Sequence, residues 1–63
     1  MEKLAIIQIK HIHTNAIKPF GLTINPSDKE LSNHRVLELK CRDQFNNMVS
    51  SINFEFIKLM EVR

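Results

Sequence analysis

"CRDQFNNMVSSINFEF", Cys41–Phe56, decides the fold, because it supports two incompatible readings. Wound as a helix, the stretch places Phe45, Met48, Val49, Ile52 and Phe56 on one side, at spacings of three, four and seven. Folded back at Asn46-Asn47 as two strands, it sets Cys41 opposite Ile52 and Phe45 opposite Met48. The helix would string Asn46, Asn47, Val49, Ser50, Ser51, Ile52 and Asn53 through its first half. These are weak helix formers, several because their side chains compete for the backbone. The helix would also leave Phe54 and Ile57 on the wrong side. The strands extend outward more consistently: Leu37 faces Phe56, Leu39 faces Phe54, and Asn tolerates the positive φ that such a turn demands. Two alternations that match across one turn outweigh one periodicity, so a hairpin is expected.

The wording Asp43-x-Phe45-Asn46-Asn47, followed by Val49 and alternating apolars, resembles hairpins of immunoglobulin-like bacterial repeats. The resemblance covers one turn and implies no family. Beyond Phe56, "IKLMEVR" shifts phase, which predicts a bulge or a separate terminal segment.

Upstream, the chain alternates again. Ala5, Ile7 and Ile9 point one way and Ile6, Gln8 and Lys10 the other. A reversal at Thr14-Asn15 pairs Ile9 with Phe20, Ile7 with Leu22 and Ala5 with Ile24, although a longer tip loop also fits. Pro19 cannot donate to a ladder, which makes the second strand an edge. Between the halves, "NPSDKELSNH" reads as a polar connection with one helical turn, Asn25 as its cap and Pro26 at its first position. The expected fold is therefore mainly β, two consecutive antiparallel hairpins with strands over about 3–13, 16–25, 35–45 and 48–60 and a short polar or one-turn helical connection at 26–33. The alternative is α+β, a three-stranded antiparallel sheet with a C-terminal helix over 43–60.

At 63 residues the chain is one small domain. So short a chain leaves much of its surface unburied, which favours self-association. The one cysteine, Cys41, excludes an internal disulfide and suits a reducing compartment. The opening "MEKLAIIQIKHI" shows no secretory signal and no stretch of membrane-spanning length, so a soluble, cytoplasmic protein is expected. The net charge of +2 is spread with mixed signs, and no block of like charge names a partner. Plentiful Ile, Asn and Lys with scarce Gly and Ala is a composition common in AT-rich genomes, phages among them.

In the hairpin fold, Leu4, Ile6, Ile12, Ile17, Val36, Ile57 and Leu59 fall opposite the core, where a solvated face would be polar. These residues are the expected partner or dimer surface, joined through a sheet face or by edge pairing into a homodimer. The function expected is non-enzymatic macromolecular recognition, by an inhibitor, regulator or assembly subunit of phage or mobile-element type. A nucleic-acid-binding regulator is the alternative, with Lys10, Lys18, Arg35, Lys40 and Arg42 as anion contacts. That alternative lacks a stacking platform, since the chain has no Tyr or Trp and its Phe residues are needed for packing. His11 and His13 of "HIHTN" are weak metal candidates, which His34 and Cys41 would have to complete; the spacing fits no common zinc pattern, and neither metal nor cofactor is expected. Ser50 and Ser51 lack a nucleophile elbow, and Glu38 and Glu55 would face each other only on a solvated surface, so catalysis is not expected.

Overall fold

The computed structural model describes residues 2–63. The fold is α+β: β1 (Lys3–His11), β2 (Ile17–Ile24), a single turn of helix α1 (Asp28–Leu31), α2 (His34–Asn46), a 3-10 turn (Val49–Ile52) and β3 (Phe54–Val62). The strands form one antiparallel sheet in the order β2-β1-β3, with β1 central and both other strands at edges. The chain leaves β2 at one edge, crosses one face of the sheet through α2, and enters β3 at the other edge.

The first hairpin forms as the alternation predicts, with a different register. Ile9 pairs with Lys18, Ile7 with Phe20 and Ala5 with Leu22, two positions from the expected partners. Facing is preserved, because an even slip keeps every side chain on its side. The slip follows from the tip, where His11 N–H donates to Ala16 O and Asn15 N–H donates to His11 O, each at 2.8 Å. Asn15 takes the left-handed conformation this loop requires, φ 62°. The imidazole Nδ1 of His11 accepts the N–H groups of His13 and Thr14, both at 3.2 Å, and so closes the loop from inside.

The second hairpin does not form. Residues 34–46 are helix α2, and the strand pairs of Leu37 with Phe56, Leu39 with Phe54 and Cys41 with Ile52 are absent. Leu37, Cys41 and Phe45, spaced by four, are the buried stripe of that helix, while Leu39, the residue that completed the alternation, is 50% exposed. Local propensity agrees: Leu37, Glu38, Leu39, Lys40, Arg42 and Gln44 are strong helix formers, and Asn33 caps the start by accepting Val36 N–H at 3.3 Å. The double asparagine ends the helix instead of turning a hairpin, and Asn47 stays at φ −90°. Ser51 Oγ then donates to Met48 O at 2.7 Å and Asn46 O at 3.2 Å, satisfying carbonyls at the helix exit. The fold agrees with the alternative in class, α+β with a three-stranded antiparallel sheet, but its helix over 43–60 is corrected: the helix spans His34–Asn46 and precedes the third strand.

The one-turn connection is present as α1, capped by Ser27 and not by Asn25. Ser27 Oγ accepts Glu30 N–H at 3.3 Å and the Glu30 carboxylate accepts Ser27 N–H at 2.8 Å, a reciprocal capping box. Lys40 of α2 donates to both Glu30 oxygens, at 3.1 and 3.2 Å, and ties the two helices together. The Ser27 amide first, and Lys40 second, hold the Glu30 carboxyl below its ordinary range. Whatever stability this carboxylate contributes is present above that range and is lost as the pH falls through the lowered pKa.

The core lies between α2 and one sheet face: Ala5, Ile7, Ile9, Leu22, Ile24, Leu37, Cys41, Phe45 and Leu59. Phe20 meets Phe45 edge to face with ring centroids 5.6 Å apart. The phase shift beyond Phe56 appears as two β-bulges, at which Ile57 and Met60 are the extra residues.

Candidate interaction surface

One face of the sheet is covered by α2, and the other is covered by nothing in the described chain. The uncovered face is built in rows. Thr23, Leu4 and Arg63 form the first, since Leu4 and Arg63 exchange backbone hydrogen bonds at 3.0 and 2.7 Å. Gly21, Ile6 and Glu61 form the second, Pro19, Gln8 and Lys58 the third, and Ile17, Lys10 and Glu55 the fourth. Ile12 extends β1 beyond the fourth row, where its N–H donates to Asn53 O at 3.0 Å.

The two bulges decide which β3 side chains share this face. Phe54, Phe56, Leu59 and Val62 pair with His11, Ile9, Ile7 and Ala5 on the core side, so Glu55, Lys58 and Glu61 all fall outside at a spacing of three. Simple alternation had sent Leu59 outward. It is buried in the core, and its place in the expected partner surface is withdrawn. Val36 is exposed but belongs to α2, on the other side of the molecule. Leu4, Ile6, Ile12 and Ile17 lie on the uncovered side as expected, and Ile57 is exposed at its bulge beside it. Ile52, expected opposite Cys41, is exposed together with Val49 on the 3-10 turn, where residues three apart eclipse.

Both sheet edges are blunted. On β2, Pro19 falls in the alternate pair with Gln8, so its missing donor faces outward, and Gln44 Nε2 of α2 donates to Thr23 O at 2.8 Å. On β3 the bulges bend the strand, and the Glu38 carboxylate of α2 takes Leu59 N–H at 3.0 Å. Glu38 and Gln44 flank the buried stripe of α2 on opposite sides, so one helix guards both edges. Their position beside Leu37 and Phe45 is a signal the sequence carries only once the helix is known.

The five cations weighed as anion contacts do not converge. Lys10 lies on the uncovered face, 3.6 Å from Glu55, and Lys40 is held by Glu30. Lys18 stands on the core side of β2 with its ammonium 4.6 Å from the Phe54 ring centroid. Arg35 and Arg42 lie exposed along α2. The histidines offer no ligand set either. With Nδ1 of His11 accepting two amides, a neutral ring carries its proton on Nε2 and has no lone pair left for a cation. The His13 ring centroid is 5.6 Å away, His34 contacts Glu38 at 3.9 Å, and Cys41 is in the core. Among the described residues no three His, Cys, Asp or Glu groups gather as a metal site.

Of the groups considered for catalysis, Ser50 and Ser51 lie in the 3-10 turn, where Ser51 Oγ donates to backbone carbonyls. Glu38 guards the β3 edge from the helix side, while Glu55 lies on the uncovered face, so the two carboxylates are not neighbours. Burial, with Glu38 adding to it, pushes the Cys41 thiol up and keeps it protonated. No helix among the described residues is long and apolar enough to cross a membrane. Comparison with known proteins finds no matching family model, curated protein or solved structure.

Proposed function

We propose that the protein is a non-enzymatic recognition protein, an inhibitor, regulator or assembly subunit, that self-associates through the uncovered face of its sheet. The observation that carries this reading is the contrast between an open, partly apolar face and two blunted edges. Leu4 and Ile17 are 41% and 56% exposed there, and a sheet with one solvated face is ordinarily polar at such sites. Of the two modes of association the sequence suggested, the guarded edges favour the face.

Size sets the strength expected. Three strands ~4.8 Å apart and ~30 Å long offer roughly 400 Å² of flat area. A standard interface takes about 800 Å² from each partner. The association should therefore be concentration-dependent, with monomer visible on dilution. Nucleic-acid binding has less to support it, since two of its five proposed contacts, Lys10 and Lys40, are already held by carboxylates.

Sedimentation equilibrium over a wide concentration range tests the proposal. Wild type should shift from monomer to dimer, Ile6→Lys should remain monomeric, and Leu39→Lys, on the solvent side of α2, should dimerise as wild type does. If Leu39→Lys dissociates the dimer and Ile6→Lys does not, the helix face is the contact and the proposal fails.

A further inference from the structure

We infer that the second copy docks on the uncovered face about a two-fold axis that runs between the two sheets, parallel to them and perpendicular to the strands, so that Glu61 meets the second copy's Lys58 and Arg63 meets the second copy's Glu55. The inference rests on the self-association proposed above and fixes its geometry.

Two copies of a sheet can be related by a two-fold along any of three perpendicular directions. An axis normal to the sheet joins edge to edge, and both edges are blunted, by Pro19 with Gln44 and by the bulges with Glu38. An axis along the strands keeps the rows and swaps the outer columns. Lys10 would then face its own copy across the central strand, and the β3 charges would stack on Thr23, Gly21, Pro19 and Ile17, which carry no charge. The axis across the strands keeps the columns and reverses the rows. Down β3 the charges read Arg63 plus, Glu61 minus, Lys58 plus and Glu55 minus. Reversed, that column is minus, plus, minus, plus, so all four positions meet their opposites. Lys58 has no ion-pair partner among the described residues, whereas Glu61 already holds Arg63 at 2.9 Å and Glu55 already holds Lys10 at 3.6 Å.

The β2 column supplies an independent observation. Reversal of the rows brings Pro19 over the second copy's Gly21. Gly21 has no positive φ, and a Cβ added there would meet only the end of Leu4, at 3.4 Å. Nothing inside the chain requires a bare backbone at this position. A ring approaching from outside does, and glycine within a strand often marks such an approach. The sheets would lie ~10 Å apart with strand directions within ~30°.

Charge exchange tests the geometry on the full chain, with circular dichroism confirming the fold of each variant. Lys58→Glu alone and Glu61→Lys alone each place like charges together twice per dimer, and each should weaken dimerisation by about tenfold or more. The double variant Lys58→Glu/Glu61→Lys restores opposite charges in this geometry and should recover near wild-type affinity. If the double variant dimerises no better than the singles while Ile6→Lys still dissociates wild type, the face stands and this axis is overturned. If wild type stays monomeric at the highest concentration, both the axis and the self-association fall.

Discussion

Phe45 is the residue on which the two readings of the chain differ most in consequence. Beside a hairpin turn it would be peripheral, and its loss would cost little. In the structure it is fully buried, sits on the sheet side of α2 and meets Phe20 edge to face. Phe45→Ala should cost about 3–5 kcal/mol through lost transfer energy and the cavity left behind. Domains of this size hold only ~3–9 kcal/mol in total. The variant should lose much of that margin, read as a lowered urea midpoint followed at 222 nm. Cys41 is a quieter neighbour: with burial holding its thiol protonated, it contributes shape to the core.

At the scale of the element, α2 covers the core and guards both edges. Glu38→Ala removes the acceptor from Leu59 N–H while leaving the helix a good former in its place. Hydrogen exchange should quicken at Leu59, with a stability loss of about 0.5–1.5 kcal/mol and no change in helix content. Unchanged protection at Leu59 would show that the carboxylate is not the guard. The same helix marks where the sequence could and could not be read. The first hairpin was legible because Ala5, Ile7 and Ile9 alternate over a long run beside a proline that places the edge. Helix α2 was not, because Leu37 and Cys41 satisfy both periods and Leu39 satisfies only the wrong one. The tie is broken by Asn33 as cap and by the run of strong formers from Leu37 to Gln44, both local signals present in the chain. The double asparagine carries no decision, because the residue type ends helices as readily as it turns hairpins.

At the scale of the molecule, the described residues form two layers, one of sheet and one of helix, and none of them covers the opposite face of the sheet. That uncovered side was legible in outline, through Leu4, Ile6, Ile12 and Ile17, because period-two alternation holds along β1 and into β2. It failed on β3, where Leu59 and the charged residues are sorted by bulges that alternation does not anticipate. The extra residues Ile57 and Met60 have a consequence for solubility. Deleting both leaves Glu55, Lys58 and Glu61 facing as before and turns β3 into a straight ribbon, since the remaining residues then alternate strictly. Such a ribbon is a better template for other chains, and regular hydrophobic edges nucleate fibres. The shortened chain should fold yet seed thioflavin-positive fibrils on agitation, where the parent stays clear. Two residues that loosen the ladder would thus act as the protein's defence against polymerising.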